Sequence, residues 1–415
     1  MEWKEVRLGE ISSKIGDGLH GTPKYDDEGP YYFINGNNLN CGKIIIKDDT
    51  KRVGKDEFVK NQKELNEQTI LVSINGTIGN VAKYNNELCI LGKSACYINV
   101  IKEVDKEFIY YVLTSANFKR NITNEATGTT IKNVSLKQMR EYKFNIPCNI
   151  SDQHRIASIL SSLDRKIELN NKINADLEEM AQAIFKNWFV DFEPFKDGKF
   201  VDSELGMIPE GWKVSQIADI PHILETGKRP KGGAVEKGIP SVGAEHVKGM
   251  CAYDYSKTKY INCEFAAKLK TGKINGYELM IYKDGGKPGY FIPNFSIFGE
   301  RYPFENCYLN EHVFKLDFDG NKEFNIFCYF FFKTEQIMSY FNAQGAKAAI
   351  PGINKKDVEN IYIFSPDNES VIKFGEFAYP LFKQMLKNAI ENRRLSLLRD
   401  TLLPRLMSGE IEIPE

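Results

Sequence analysis

A regular hydrophobic stripe runs through residues 151–192 of this chain. Apolar side chains recur at alternating steps of three and four residues, and the interruption in the middle holds Asn170 and Asn174. The apolar members of the stripe are Ile156, Leu160, Leu163, Ile167, Leu177, Ala181, Ile184 and Trp188. This heptad spacing predicts a long helix that packs along one side against another helix. An amphipathic helix on a globular core is the alternative interpretation.

The same pattern returns 218 residues further along the chain. Both asparagines recur there, as Asn388 and Asn392, and only Arg399 breaks the apolar stripe. A buried asparagine lowers the stability of a coiled coil but fixes its register and partner. We therefore predict an antiparallel coiled coil in which Asn170 lies near Asn392 and Asn174 lies near Asn388. The side chains predicted to pair the helices are Asn170, Asn174, Leu177, Ile184, Trp188, Asn388, Asn392, Leu395, Leu402 and Leu406.

Both helical segments contain a feature that suggests a break. Pro380 falls inside the second segment, where a proline costs about 3 kcal/mol unless it lies in the first turn of a helix. The matching part of the first segment contains Ser162 and Asp164, which are residue types that often start helices. The sequence thus predicts a short helix, a break and a main helix of roughly 27 residues in each segment, about 40 Å long.

The segments that precede the two helices also repeat each other. Trp3 corresponds to Trp212, and a short strand followed by a polar turn occurs at residues 31–39 and again at 239–247. The offset is about 209 residues at first and 218 after extra residues around 291–309. We predict an α+β fold with two tandem mixed α/β domains, each followed by a long helical segment. The predicted boundaries are 1–150, 151–195, 196–368 and 369–415.

Composition narrows the class of protein. With 415 residues, 42 % of them hydrophobic, the chain can bury large cores and is not a disordered protein. The N-terminus is charged and the apolar run 327–332 is too short to cross a bilayer, so we expect a cytoplasmic protein. The eight scattered cysteines lack metal-ligand spacing and are expected to be buried reduced thiols. The net charge of −1 means that any nucleic-acid surface must be local.

The sequence contains no recognisable catalytic or metal-binding motif. Phosphate loops, HExxH and GxSxG motifs, and the Asn-Pro-Pro-aromatic stretch of amino-methyltransferases are absent, and the five histidines are isolated from one another. Gly16-x-Gly18-x-x-Gly21 matches the dinucleotide fingerprint formally, but no clear strand precedes it and Pro23 follows in place of a helix. The motif search therefore names no catalytic residue and no metal site.

Polar loops bordered by glycine are the candidate chemistry of the two domains. Amides suit adenine in the major groove, Arg and Lys suit guanine, and Glu accepts from cytosine. Ordinary turn formation is the alternative explanation for the same residue types. The candidate DNA-binding residues of the first copy are His20, Thr22, Lys24, Asn35, Asn37, Asn38, Asn75, Thr77, Thr129, Thr130 and Lys132. Those of the second copy are Lys228, Arg229, Lys231, Glu245, His246, Lys283, Lys287, Gln344 and Lys347.

The order of domain, helix, domain, helix resembles the specificity subunit of type I restriction-modification systems. The phrases that carry the resemblance are SDQHRI at 151–156, IFKNWFVDFEP at 184–194, IPEGW at 208–212 and LRDTLLPRLMSG at 398–409. The resemblance implies that each domain reads one half of a bipartite DNA site. It also implies that the paired helices set the spacing and dock two methyltransferase subunits, and that nuclease subunits can join. S-adenosylmethionine and ATP would be bound by those partners, and the resemblance implies that the chain itself has no catalytic residue, metal or cofactor.

Two other classes of protein remain open from the sequence. One is a coiled-coil assembly adaptor that does not bind DNA, which the near-zero net charge would suit. The other is an enzyme whose site has no recognisable motif. Co-purification with a methyltransferase, together with salt-dependent binding of one duplex sequence, would distinguish the specificity subunit from both.

Overall fold

The computed structural model describes residues 1–126, 132–285, 289–347, 351–411 and 413. It divides into two compact units. The first unit comprises residues 1–166 and 395–415, and the second comprises residues 167–394. Each unit combines antiparallel and mixed sheets with short helices and with parts of two long helices. The predicted α+β class is confirmed.

The first unit contains eleven named strands among its described residues. They are β1 (Trp3–Arg7), β2 (Ser12–Gly16), β3 (Tyr31–Ile34), β4 (Leu39–Asn40), β5 (Lys43–Ile44), β6 (Arg52–Val53), β7 (Thr69–Ser73), β8 (Val81–Lys83), β9 (Cys89–Leu91), β10 (Ala95–Val100) and β11 (Lys143–Pro147). The short helices are α1 (Lys55–Asn61), α2 (Lys106–Thr114), α3 (Ala116–Glu125) and α4 (Leu136–Glu141). The main sheet has the order β2-β10-β7-β8, the second has the order β6-β3-β9, and β1 pairs with β11.

The second unit has its own strands and short helices. The strands are β12 (Phe200–Val201), β13 (Ile208–Pro209), β14 (Val214–Gln216), β15 (Ile223–Thr226), β16 (Ile239–Val242), β17 (Gly249–Met250), β18 (Lys259–Ile261), β19 (Leu279–Tyr282), β20 (Phe295–Ile297), β21 (Tyr308–Leu309), β22 (Val313–Asp317) and β23 (Tyr362–Phe364). The helices are α6 (Cys263–Ala267), α7 (Lys322–Phe332), α8 (Glu335–Gly345) and α9 (Lys355–Glu359). The sheets have the orders β15-β22-β19-β20-β17 and β18-β16-β21, and β14 pairs with β23.

The two units are copies of one fold. The order β15-β22-β19-β20 reproduces β2-β10-β7-β8, and β18-β16-β21 reproduces β6-β3-β9 with the same mixture of antiparallel and parallel pairs. The second copy has longer connections on both sides of β20, at residues 283–294 and 298–307, than the first has on both sides of β8. The duplication and the position of the extra residues thus follow the sequence pattern.

The equivalent helices α2 and α7 begin with the same kind of N-terminal cap. Asp105 caps α2 by accepting from the Phe108 N–H at 2.7 Å, and Asn321 caps α7 by accepting from the Phe324 N–H at 2.9 Å. Every residue from Phe324 to Phe332 is buried, so the most apolar run of the chain is a core helix. Among the described residues, no helix is long and apolar enough to cross a membrane.

The long helices are α5 (Ile150–Phe189) and α10 (Glu369–Met407). Each is continuous, so the predicted breaks are wrong. Pro380 lies inside α10, where the lost hydrogen bond is offset because Phe374, Ala378 and Phe382 around it are buried. Ser162 and Asp164 lie inside α5 and start no helix. The Ser162 hydroxyl donates to the carbonyl of Ile159 at 2.7 Å.

The helices run antiparallel within each unit. In the first unit, Ile156, Ala157 and Leu160 of α5 share a core with Leu406 near the end of α10. In the second unit, Phe185 and Phe189 near the end of α5 pack against Phe374 near the start of α10, with ring centroids 5.2 and 5.7 Å apart. The predicted antiparallel pairing is confirmed.

The cysteines follow the prediction in part. All eight are free thiols, and five are buried. Cys41, Cys148 and Cys263 are exposed, contrary to expectation.

Candidate nucleic-acid interface

Five loops of the first unit meet at one edge of its sheets. Leu19 forms a parallel bridge with Gly92, and the Ile74 N–H donates to the carbonyl of Ser94 at 3.0 Å. Asn75 forms an antiparallel bridge with Asn133. We call the loops at residues 17–22, 35–38, 74–79, 92–94 and 132–133 the first loop edge. It collects most of the candidate residues that the sequence scatters over more than a hundred positions.

The second unit has the corresponding edge. The Gly227 N–H donates to the carbonyl of Asn310 at 3.2 Å, and the Lys283 N–H donates to the carbonyl of His312 at 2.9 Å. Asp284 forms an antiparallel bridge with Gly352. We call the loops at residues 226–231, 243–246, 283–285, 310–312 and 351–352 the second loop edge. Its backbone contacts occupy the same places in the strand order as those of the first loop edge.

Two glycines fix the backbone of these edges. A Cβ added to Gly18 would lie 2.0 Å from the carbonyl oxygen of Leu91, and one added to Gly227 would lie 1.6 Å from that of Leu309. Such distances are far below van der Waals contact, so only glycine lets the loop approach the end of the neighbouring strand. This packing role explains Gly18, the middle glycine of the formal dinucleotide fingerprint.

Most candidates of the first loop edge and its flanks reach solvent. His20, Thr22, Lys24, Asn37, Thr77 and Lys132 are exposed, and Asn35 and Asn75 are half-buried. The His20 ring pairs with the Asp17 carboxylate at 2.7 Å. The Asn35 Oδ1 accepts from the Ser94 hydroxyl at 3.0 Å. Thr129 and Thr130 lie outside the described residues.

The second loop edge and its flanks carry more cations. Lys228, Arg229, Lys231 and Lys347 are exposed, whereas Glu245, Lys283 and Gln344 are half-buried. The Lys347 ammonium donates to Gln344 Oε1 at 2.7 Å. Burial opposes ionisation of Glu245, but the hydrogen bond from Lys259 prevails and the pKa of Glu245 is lowered. Lys287 lies outside the described residues.

Asn38 and His246 are buried and have partners inside their own domains. They end the equivalent short 3-10 turns at Gly36–Asn38 and Ala244–His246. The Asn38 amide donates to the carbonyl of Ile45 at 3.0 Å, and the His246 ring stacks on Tyr253 with centroids 4.3 Å apart. Burial lowers the pKa of His246. In this conformation both side chains support the turn, and neither faces solvent.

The structure adds residues that sequence reasoning missed. Glu311 and His312 follow β21, and the His312 ring lies between two carboxylates: its Nε2 is 3.3 Å from Glu311 Oε1, and its Nδ1 contacts Asp284. Arg229 Nη1 lies 3.8 Å from Glu311, and Lys283 Nζ lies 3.3 Å from Asp284. The histidine that looked isolated in the sequence is thus at the centre of a charged cluster. The 218-residue offset, applied to Lys93 and Ser94, could have indicated this position.

The chemistry of both edges suits recognition. They present ammonium, guanidinium, amide, hydroxyl and carboxylate groups on a backbone fixed by hydrogen bonds. Such a set can match the donors and acceptors of base edges and the phosphates beside them. Within the described ranges, no three His, Cys, Asp or Glu side chains are grouped so that they could hold a metal ion.

The long helices meet in the second unit through four amides, Asn170, Asn174, Asn388 and Asn392, which we call the asparagine layer. Asn170 Nδ2 donates to Asn392 Oδ1 at 2.9 Å, and Asn388 Nδ2 donates to Asn174 Oδ1 at 2.8 Å. These are the partners that the sequence predicted. Asn170 Nδ2 also donates to the Glu391 carboxylate at 2.7 Å. Because each of the four amides pairs with its predicted counterpart on the other helix, the layer fixes the register.

The other predicted pairing residues occupy different environments. Leu177, Ile184 and Trp188 pack, partly buried, against the core of the second unit. Leu406 is buried in the core of the first unit, Leu402 packs against that core, and Leu395 is half-buried.

Arg399, which breaks the second stripe, pairs with Asp164 in the first unit. Arg399 Nη1 donates to Asp164 Oδ1 at 2.7 Å, and the buried Tyr111 hydroxyl donates to Asp164 Oδ2 at 2.7 Å. Asp164 therefore joins α5, α10 and α2.

Comparison with known proteins gives consistent results. Residues 1–179 match the family model described as "Type I restriction modification DNA specificity domain". The chain is 29 % identical over 406 residues to the type I restriction enzyme MjaIX specificity subunit of Methanocaldococcus jannaschii, covering 95 % of this chain and 87 % of the relative. It is 26 % identical over 367 residues to the type I restriction enzyme HindI specificity subunit of Haemophilus influenzae, covering 74 % and 77 %.

One solved structure shares the fold over nearly the whole chain. It is the crystal structure of the type I restriction-modification system S subunit from M. genitalium, which superposes with a TM-score of 0.55 at 18 % identity. The match covers 98 % of this chain and 96 % of that one.

Proposed function

We propose that this chain is a specificity subunit of a type I restriction-modification system and acts as the DNA-reading, non-catalytic subunit of such a complex. Each domain reads one half of a bipartite site through its loop edge. The observation that carries the proposal is the pair of edges: two copies of one backbone scaffold present different side chains at equivalent positions. That is the arrangement needed to read two different short sequences.

The partners of the protein follow from this proposal. The ligand is double-stranded DNA, and the remaining subunits of the complex supply the catalysis. We place two methyltransferase subunits on the paired helices, with nuclease subunits as further partners. S-adenosylmethionine and ATP belong to those subunits in this proposal. Such a complex works where the chromosome lies, so the proposal locates the protein in the cytoplasm.

The first experiment tests DNA reading and assembly together. The full-length chain is co-expressed with a type I methyltransferase subunit, purified, and titrated with duplexes at several salt concentrations. We expect co-purification and a linear fall of the logarithm of the binding constant with the logarithm of the salt concentration. We also expect one duplex sequence to bind far more tightly than others. Assembly without sequence-selective binding would favour the coiled-coil adaptor instead.

A domain exchange tests whether the half-sites are read independently. Residues 1–150 are replaced by the corresponding domain of another specificity subunit, and methylated adenines are mapped after co-expression with the methyltransferase. We expect one half of the recognised sequence to change and the other half to stay the same. Each unit has its own core and its own loop edge, which is the physical reason. A change in both halves would contradict the independence of the domains.

A further inference from the structure

We propose that the turn after β9, residues 92–94, and the turn after β21, residues 310–312, determine sequence specificity, with Lys93 and Glu311 as the base-contacting side chains. Lys93 would donate to guanine in one half-site, and Glu311 would accept from the exocyclic amino group of cytosine in the other. This inference rests on the proposed function. It assigns chemistry to two residues that the sequence pattern did not single out.

The backbone holds both side chains at equivalent places. In the first domain, the Gly92 N–H donates to the carbonyl of Ile34 at 2.8 Å, and the Ser94 carbonyl accepts from the Ile74 N–H at 3.0 Å. Lys93 is therefore the central residue of a turn anchored on both sides.

The second domain repeats these two bonds. The Asn310 N–H donates to the carbonyl of Val242 at 2.9 Å, and the His312 carbonyl accepts from the Lys283 N–H at 2.9 Å. Glu311 is the central residue there. Because the scaffold is the same, what differs between the two domains at this point is the side chain, and its charge is reversed.

The contacts of Glu311 leave one of its two carboxylate oxygens without a hydrogen-bond donor among the described residues. Its Oε1 lies 3.8 Å from Arg229 Nη1, which is longer than a hydrogen bond, and 3.3 Å from His312 Nε2. Its Oε2 is buried and has no hydrogen-bond partner among the residues that the structure describes. Buried carboxylate oxygens with a purely structural role are normally satisfied.

The side chain can reach a ligand from this position. Glu311 is 30 % exposed, so a rotation about its own torsions brings Oε2 to the surface. The neighbouring Arg229 is 68 % exposed and can then contact a phosphate or a second base. Lys93 is exposed in the first domain. A carboxylate matches the amino group of cytosine, and an ammonium matches the O6 and N7 acceptors of guanine.

The test uses the full-length chain with its co-purified methyltransferase and a pool of duplexes with a random 30-base-pair core. Bound duplexes are selected and sequenced for the wild type and for Glu311→Gln and Lys93→Gln. Glutamine keeps the size of the glutamate side chain and pairs with adenine. Glu305→Gln and Lys102→Gln are matched controls, because both residues are exposed and lie outside the loop edges.

We expect Glu311→Gln to move the preference at one position of one half-site from cytosine towards adenine. Lys93→Gln should move one position of the other half-site from guanine towards adenine. Binding of the wild-type sequence should fall between about 5-fold and 150-fold in each variant, the range of one mismatched base pair. The two controls should select the wild-type sequence. The unaltered half-site in each variant shows that the protein is folded.

Two results would overturn this inference while leaving the proposed function intact. The first is that both variants select the same motifs as the wild type. The second is a uniform weakening at every position of the affected half-site, as a purely structural role would give. If the wild type itself selects no sequence, the proposed function fails and this inference fails with it. The wild-type selection therefore separates the two failures.

Discussion

Asp164 offers the sharpest test of how the first unit holds the two helices together. Its carboxylate accepts from the Tyr111 hydroxyl on α2 and from Arg399 on α10, both at 2.7 Å. Tyr111 is 2 % exposed, and its pKa is raised by burial and by the hydrogen bond to Asp164, so the hydroxyl remains a donor. We expect Asp164→Ala to loosen the first unit while the second unit keeps its stability.

The size of the effect follows from these contacts. A hydrogen bond to a charged group contributes about 1.5–3 kcal/mol, and its loss leaves the Tyr111 hydroxyl buried without a partner. The ion pair with Arg399 is about one-third exposed on both sides, so solvent screening limits it to about 1 kcal/mol or less. We therefore expect a loss of about 2–4 kcal/mol.

Hydrogen exchange followed by mass spectrometry measures this loss for each unit separately. Peptides that cover α2 should exchange about 30-fold to 700-fold faster in Asp164→Ala, because each 1.4 kcal/mol is about tenfold. Peptides that cover α7 in the second unit should be unchanged. Arg165→Ala is the matched control, since Arg165 is the exposed neighbour on the same helix and should shift stability by about 0.5 kcal/mol at most.

A double-mutant cycle with Tyr111→Phe isolates the hydrogen bond. The two substitutions should couple by about 1.5–3 kcal/mol if the bond to the carboxylate carries the effect. Coupling near zero, or equal acceleration of exchange in α7, would refute the assignment of Asp164 as the joint of the first unit.

Three further outcomes follow from the structure. Replacing the asparagine layer with four leucines should raise the thermal midpoint of unfolding while loosening the register of the helices, because buried amides lower stability but select one pairing. A lower midpoint, together with unchanged cross-linking between cysteines introduced into α5 and α10, would contradict this. Gly18→Ala, whose Cβ would meet a carbonyl oxygen at 2.0 Å, should abolish reading of the first half-site in methylation mapping, whereas Gly21→Ala, with no atom within 4 Å, should not. Because burial lowers the pKa of His246, its contribution to stability is complete above about pH 6.5, the unfolded value, and is lost as the pH falls through the lower folded value. His246→Gln should remove that pH dependence from thermal unfolding of the second domain.

The parts of the fold that the sequence predicted depend on periodicity. Heptad spacing and the constant 218-residue offset specify which faces of α5 and α10 are apolar, and the antiparallel pairing of Asn170 with Asn392 follows from the repeat. The duplicated strands were equally visible, because a strand that ends in a glycine turn is a local signal. No distant contact had to be known for these predictions.

The predicted breaks in the helices failed because they relied on single residues. Proline disfavours a helix interior on its own, but the buried residues around Pro380 outweigh one missing hydrogen bond. Aspartate often begins a helix, yet the partners of Asp164, Tyr111 and Arg399, come from segments far away in the chain. Residue type alone contains no information about such partners, so tertiary contacts overrode the local preference.

The loop residues show the same limit at the site itself. Asn38 and His246 have the right chemistry for bases and lie in polar turns, but the turn folds them inward, where they cap it. Lys93 and Glu311 were not singled out, yet the fold holds each at the centre of an anchored turn. What separates the two pairs is position. Asn38 and His246 are the third residues of equivalent 3-10 turns, whereas Lys93 and Glu311 follow the equivalent strands β9 and β21. Comparing the two copies position by position therefore distinguishes residues that support the fold from residues that can contact DNA. Where both side chains point into the protein, as at Asn38 and His246, they support the turn. Where the backbone is the same but the charge of the side chain is reversed, as at Lys93 and Glu311, the two domains can read different sequences.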